Sequence, residues 1–298
     1  MRKGVSVLAI TYNDLYLNTK SALRKVSTLG CTVEAREILR LATGKDRLTL
    51  ARDAQMYVPD ALAAEVHALL NRRLQGEPIA YLLGEWEFYG LTLEISPGVL
   101  IPRADTETLT DAALEALKAR SANGSPLRLL DLCCGSGCVG LATLAEMDSL
   151  TVSMADIDEE ALRITKRNVR RHRRDARCTV MRADVRNPAP PAWGRFDVIT
   201  CNPPYIPTGE LAGLDPSVRD YEPHLALDGG PDGLDFMRAV AEHWRSALAP
   251  DGVLLLEVGA GQAQRAGGVL LYNGFRNIRT YTDGGGIERV VGGSLPCA

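Results

Sequence analysis

Between Leu127 and Val258 short aliphatic runs alternate with helical segments, and the first run feeds straight into a glycine-rich turn. That alternation implies βαβ units, a parallel sheet and helices on both of its faces. The expected strands are 128–132, 151–155, 178–183, 196–201 and 253–258, with helices after the first two and another over 235–248. Two further runs, 278–282 and 287–291, flank Asp283-Gly284-Gly285-Gly286, a turn signal for a closing antiparallel hairpin. Upstream, over 11–76, apolar residues recur at helical spacing (Ile38, Leu39, Ala42; Leu62, Val66, Leu69, Leu70), with Gly44 and Gly76 expected as C-terminal caps and Asp60 as an N-cap. Trp86/Phe88 and Leu91/Leu93/Ile95 then alternate across Tyr89-Gly90 as a hairpin would. The expectation is an α/β fold: a helical domain over 1–83, a β-hairpin linker over 84–100 and a mostly parallel sheet domain with an antiparallel C-terminal hairpin over 101–298.

At 298 residues, 46% hydrophobic and 24% charged, the chain can build a sizeable core without metal or disulfide staples. Seven cysteines, odd in number and unevenly spread, read as reduced thiols. No apolar run approaches the roughly 20 residues of a membrane span. Met1-Arg2-Lys3 resembles a signal n-region, but the apolar stretch from Val5 to Ile10 is short and runs into Thr11, Tyr12, Asn13 and Asp14. The protein is therefore expected in the cytoplasm, as a monomer and away from membranes. The net charge of −3 conceals one basic run, Arg163 to Arg177, with eight basic residues and one acid. A single cationic patch argues against a nucleic-acid substrate. Its default reading is a solvated helix face; the sharper one is a dock for an acidic partner surface.

Asp131-Leu132-Cys133-Cys134-Gly135-Ser136-Gly137-Cys138-Val139-Gly140 runs from strand into helix, with glycines where the backbone must turn and approach a ligand closely. Taken alone, Gly135-x-Gly137-x-x-Gly140, with Asp156 downstream, also fits a dinucleotide fingerprint, so an NAD oxidoreductase is one rival. Asp131 favours S-adenosylmethionine instead, because a carboxylate there suits an ammonium and a sulfonium and repels a pyrophosphate; its bland role is to cap the following turn. Asp156 is placed for ribose hydroxyls, Asp158 being the better helix cap. Asp184 can reach an adenine edge or serve as a solvated turn acid. Cys133, Cys134 and Cys138 lack the paired spacing of a zinc site, so no metal is expected and they read as small apolar fillers.

The most specific feature is Asn202-Pro203-Pro204-Tyr205 after the fourth strand. An amide or exocyclic NH2 is a poor nucleophile, and two in-plane acceptors, the Asn202 side-chain oxygen and the Pro203 carbonyl, can hold both hydrogens and favour the charge that develops on nitrogen. The prolines stiffen the loop. Tyr205 can wall or stack on a flat acceptor, or add a cation–π contribution near a sulfonium. A tight Asn-Pro turn is the bland alternative.

Loop and acceptor motif together resemble class I (Rossmann-like) S-adenosylmethionine methyltransferases acting on amide or amine nitrogen, N6-adenine DNA methyltransferases included. Gly76-Glu77-Pro78-Ile79-Ala80-Tyr81, Leu100-Ile101-Pro102-Arg103-Ala104-Asp105-Thr106-Glu107 and Tyr221-Glu222-Pro223 with Asp232-Gly233-Leu234 narrow this, over nearly the whole chain, to a resemblance to the peptide chain release factor N5-glutamine methyltransferases (HemK/PrmC). The resemblance implies that S-adenosyl-L-methionine is the methyl donor and that the glutamine of the Gly-Gly-Gln motif of class I release factors is the acceptor, with the helical region binding substrate. It implies that Cys133 to Gly137, Asp156, Val185 and Asn202 contact the donor and Asn202 to Tyr205 the glutamine. Cys133 and Cys134 stand where that family commonly has Gly and Thr, and Ala104 where it has Pro. A glutamine methyltransferase for a ribosomal protein, an adenine methyltransferase and a non-catalytic release-factor adaptor remain as alternatives.

Overall fold

The computed structural model describes residues 9–121 and 126–296; the Met1-Arg2-Lys3 start and Cys297 lie outside them. The chain divides into two compact units, one running to Gly84 and including Pro216–Tyr221, the other comprising Glu85–Asp215 and Glu222–Ala298.

The first unit holds α1 (Tyr12–Leu23), α2 (Cys31–Thr43), α3 (Arg47–Arg52), α4 (Asp60–Leu74) and α5 (Ile79–Leu83). Thr11 and Asp14 form a reciprocal capping box on α1. Gly44 and Gly84 close α2 and α5 in the left-handed conformation that glycine adopts without penalty. Asp60 is the first residue of α4 rather than its N-cap; Pro59 takes that place, its fixed φ suiting the helix entry. Leu15, Leu23, Ala35, Ile38 and Val66 form the buried centre of this unit.

In the second unit the chain runs β1 (Glu85–Phe88), β2 (Leu91–Glu94), α6 (Glu107–Arg120), β3 (Leu127–Leu132), α7 (Cys138–Glu146), β4 (Leu150–Asp156), α8 (Glu159–Arg171), β5 (Cys178–Arg182) and β6 (Phe196–Cys201). After α9 (Pro216–Arg219), in the segment grouped with the first unit, come α10 (Asp235–His243), β7 (Leu248–Glu257), α11 (Ala263–Tyr272), β8 (Arg276–Thr282) and β9 (Glu288–Ser294). The seven-stranded sheet has the order β5-β4-β3-β6-β7-β9-β8, parallel from β5 to β7, with β9 antiparallel to both β7 and β8. Tyr89 and Gly90 both take positive φ in the β1–β2 turn, as a two-residue hairpin requires.

Strand parity sorts the faces. Leu130, Leu132, Ile199, Cys201, Leu254 and Leu256 pack with Met237, Val240, Trp244, Ala266 and Leu270 from α10, its C-terminal end and α11. Asp131 and Thr200, paired in register, turn to the opposite face.

The expected helix over 235–248 ends at His243, and β7 begins five residues ahead of its predicted start. Pro250-Asp251-Gly252 reads as a break, yet the strand absorbs it as an irregularity, with Asp251 at φ 57 and the β6–β7 register shifting beside it. Helix α11 escapes the sequence pattern because Gly267-Gly268 lowers helix propensity; Gly267 lets the helix approach β8, a Cβ there meeting Ile278 at 3.3 Å.

Candidate active site

Strands β3, β4 and β6 bring their carboxyl ends together where the strand order reverses, the place at which open α/β sheets hold ligands. The cleft there encloses about 1030 Å³ of space free of protein atoms, its open mouth included. Asp131, Cys133, Cys134, Gly135, Ser136, Asp156, Asp184, Val185, Asn202 and Pro204 border it, whereas Gly137, Pro203 and Tyr205 are not among its lining residues.

The glycine loop is held from below. Gly137 sits at φ 80, and a Cβ on it would lie 3.0 Å from Thr165 and 3.1 Å from Met154. At Gly140 a Cβ would lie 2.8 Å from Met154, so this glycine serves the close packing of α7 on β4. Cys133 takes φ 53, a left-handed conformation unfavourable to any residue with a Cβ. Buried Asn168 of α8 donates to the Ser136 carbonyl and exchanges two hydrogen bonds with the Glu94 backbone, tying the loop to β2.

Asp131 is 2% exposed; its carboxylate accepts from the Gly140 backbone at 3.1 Å and from Thr200 Oγ1 at 2.9 Å. It therefore braces the turn while bordering the cleft, and burial pushes its carboxyl up to about 7. Asp156 accepts from the Gly135 and Asp158 backbones and is also raised by burial. Asp158 caps α8 through Ala161. Asp184 is held by the Arg186 guanidinium at 2.8 Å, which lowers its carboxyl. The Val185 carbonyl accepts from the Trp244 indole. Four carboxylates thus face the cleft against one guanidinium, Asp131 among them buried without a cation, and the Ser136 hydroxyl at the wall has no hydrogen-bond partner. Such a lining favours a positively charged ligand and opposes a pyrophosphate.

The thiols do not supply charge. The Cys201 neighbour raises Cys133 well above its ordinary value, burial does the same to Cys134, and Cys138 is pushed up to about 12. A thiol held protonated is a poor metal ligand.

At the rim of the cleft, Asn202 Nδ2 donates to Thr106 Oγ1 at 3.3 Å, which leaves Oδ1 as the acceptor of that amide. Gln262 accepts from the Gly259 backbone and donates to the Tyr205 carbonyl at 2.8 Å, fixing the loop beyond the prolines. Tyr205 packs against the sheet core, and its phenol lies against Glu257, which with burial pushes the hydroxyl far up. Glu222 accepts from the Ile101 backbone and pairs with Arg103, holding the segment that walls the cleft.

Asn168, Glu257 and Gln262 are not singled out by the sequence, and Thr106 only as part of the motif over 100–107, without a role at the site. Glu257 carried a signal: one acid closing the apolar run Val253-Leu254-Leu255-Leu256 at the end of a central strand, a burial that demands a reason. Three of the arginines on α8 are paired with acids, Arg163 with Glu160 of the same helix, Arg167 with Glu94 and Arg171 with Glu85.

Residues 97–212 match the family model described as methyltransferase small domain, and residues 14–84 the PrmC N-terminal domain. The chain is 38% identical over 278 residues to the release factor glutamine methyltransferase of Geobacter sulfurreducens, covering 93% of this chain and 94% of the relative. It belongs to the release factor glutamine methyltransferase family. The member of that family from Gloeobacter violaceus is 38% identical over 267 residues, 87% of this chain and 90% of the relative. Among solved structures, the hMettl16 catalytic domain in complex with the MAT2A 3′UTR hairpin 6 is 14% identical and covers 81% of this chain and 85% of its own, with a TM-score of 0.55; it shares the fold. The α/β architecture and the helical N-terminal region read from the sequence agree with this family.

Proposed function

We propose that this protein transfers a methyl group from S-adenosylmethionine to the side-chain amide nitrogen (N5) of the glutamine in the Gly-Gly-Gln motif of class I peptide chain release factors. The observation that carries the reading is the fixed sense of the Asn202 amide: with Nδ2 engaged by Thr106, its oxygen is the group free to accept an amide hydrogen at the edge of an acid-lined cleft. The charge balance of the cleft fits a donor bearing a sulfonium and an ammonium. On this reading Asp131 faces the ammonium, Cys133 to Gly137 shape the wall for the methionine part, Asp156 takes the ribose hydroxyls, and Val185 and Asp184 border the adenine.

Bound S-adenosylmethionine supplies an electrophilic methyl group. Asn202 Oδ1 and the Pro203 carbonyl accept the two hydrogens of the acceptor amide, turning its nitrogen toward the cleft and favouring positive charge there. Pro203 and Pro204 keep these acceptors rigid. On this reading Tyr205 walls the acceptor side. No general base is needed before transfer, since the amide proton can leave to water afterwards. Support for a protein rather than a nucleic-acid acceptor comes from the partial neutralisation of the α8 arginines by Glu160, Glu94 and Glu85. Among the described residues no helix is long and apolar enough to cross a membrane, and the reading is completed by a cytoplasmic monomer.

The test is methyl transfer from labelled S-adenosylmethionine to purified release factor, to its Gly-Gly-Ala variant, to a ribosomal protein extract and to unmethylated DNA. Label confined to the intact Gly-Gly-Gln protein is expected. Label on the ribosomal proteins or the DNA instead overturns the substrate, and label nowhere points to the adaptor or nicotinamide alternatives.

A further inference from the structure

Beyond Pro204 the acceptor loop is held by its main chain. The Ile206 N–H donates to the Leu227 carbonyl at 3.0 Å and the Ile206 carbonyl accepts from the Gly229 N–H at 2.8 Å, a parallel bridge that pairs Ile206 with Asp228. Thr208 donates twice, from its backbone to the Gly230 carbonyl at 2.9 Å and from its hydroxyl to Asp228 at 2.6 Å. The Tyr205 carbonyl accepts from Gln262 at 2.8 Å, at the N-terminus of α11. Two glycines bring this support closer than a side chain allows. A Cβ on Gly229 would lie 2.7 Å from Tyr205 Cα and 2.8 Å from the Pro204 carbonyl oxygen. Gly229 does not take a positive φ, so the close approach and not the backbone conformation demands glycine there. Gly233, at φ 76, would drive a Cβ into the Tyr205 carbonyl oxygen and to 2.5 Å from Gln262 Nε2.

Both glycines meet main chain, which cannot swing aside as the end of a side chain does. A gap of 2.7 Å must open to about 3.4 Å for ordinary van der Waals contact, so one methyl on Gly229 parts the segment and the loop by about 0.7 Å. The prolines carry such a shift to the site: with φ fixed at Pro203 and Pro204, the Tyr205 main chain does not move without taking the Pro203 carbonyl along. We propose that Gly229, Gly233 and Gln262 are positioning residues for methyl transfer: they form a seat for the Pro204–Tyr205 main chain, and its depth sets how far the Pro203 carbonyl and the Asn202 amide reach toward the acceptor nitrogen. None of the three lines the cleft, so they act through the loop and not on the donor. This inference rests on the glutamine methyl-transfer reading and adds to it the elements that place its acceptor loop.

The experiment compares the full chain with Gly229→Ala, Gly233→Ala, Gln262→Met and Gly286→Ala. Gly286 takes φ 80 and a Cβ there meets nothing within 4 Å, so its substitution repeats the backbone strain of Gly233→Ala without touching the loop. Expected in the three seat variants is a fall in kcat of about 10–10²-fold, the size that a displacement of up to about 1 Å produces, with the Michaelis constant for S-adenosylmethionine held within about twofold. Gly286→Ala should melt earlier and keep the parental kcat. A readout independent of substrate is backbone hydrogen exchange: the Ile206 and Thr208 amides should exchange faster in the seat variants, while those of β6 stay as slow as in the parent. Parental kcat in Gly229→Ala or Gln262→Met overturns the seat. So does an equal kcat loss in Gly286→Ala, a rise in the donor's Michaelis constant that matches the kcat loss, or exchange at Ile206 and Thr208 unmoved by the substitutions. Gln262→Met brings no Cβ against the main chain and carries the test if the alanine variants do not fold. Failure of the parent to methylate the release factor overturns the substrate reading instead, and the exchange rates then judge the seat alone.

Discussion

Asp131→Asn separates the two tasks that one carboxylate performs. Burial raises the Asp131 carboxyl from 3.8 to about 7, so the native protein holds a proton that the unfolded chain has released. A folded-state value above the unfolded one means that stability declines as pH rises from 3.8 and levels off beyond about 7. About three units at 1.36 kcal/mol each give a loss of about 4 kcal/mol, of which more than half falls between about pH 5 and pH 8. Asparagine keeps the shape, can accept from the Gly140 backbone through its oxygen and can donate to Thr200 Oγ1 through its NH2, so it folds without titrating. Urea unfolding followed by tryptophan fluorescence is well suited, because Trp86, Trp193 and Trp244 all belong to the unit that contains Asp131. The variant is expected to gain on the parent by about 2–3 kcal/mol over that pH range while its affinity for S-adenosylmethionine drops about 10²-fold, a carboxylate and a cation near 4 Å being worth up to about 4 kcal/mol at a surface-like dielectric. An equal pH slope in variant and parent would refute the burial argument, and parental affinity would refute the placement of the ammonium.

Asn202→Ala should reduce kcat at least 10²-fold, the scale on which losing one preorganised polar group acts, with the melting temperature and S-adenosylhomocysteine binding retained; residual turnover near the parental rate would remove Asn202 from its role. Gly140→Ala pushes a Cβ to 2.8 Å from Met154 and 3.1 Å from Val152, and should cost about 1–3 kcal/mol in urea unfolding, whereas no loss would show that α7 can shift freely. Reversing the charges of Arg170, Arg171 and Arg174 should leave the Michaelis constant for the release factor unchanged at low salt, because a solvated helix face contributes little to docking and Arg171 is already paired with Glu85. A clear rise would restore that face as a docking surface.

Features set by nearby residues were legible in the sequence. The Tyr89-Gly90 hairpin, the glycine loop and strand β6 follow from turn chemistry and period, and the placement of Asp131, Asp156 and Asn202 at strand ends follows from the same pattern. What stayed hidden depends on residues far apart in the chain. Thr106 reaches Asn202 across 96 residues, and Gln262 reaches Tyr205 across 57. Local periodicity holds no information about such pairs. Gly267 and the irregularity at Asp251 break local rules for the sake of packing, so α11 and the start of β7 were missed. Nor does spacing show that Tyr205 packs against the sheet core, since strand parity ends at Cys201 and the prolines redirect the chain.

The inclusion of Pro216–Tyr221 in the N-terminal unit bears on how the protein is made. The Tyr221 hydroxyl donates to the Gln75 carbonyl at 3.1 Å across 146 residues of sequence. At a synthesis rate of about 5–20 residues per second, roughly 7–30 s separate the two partners on the ribosome. The unit that emerges first therefore receives its last piece only after strands β3 to β6 have been made. A fragment ending at Gly84 lacks that piece, and no single cut in the chain divides the two units.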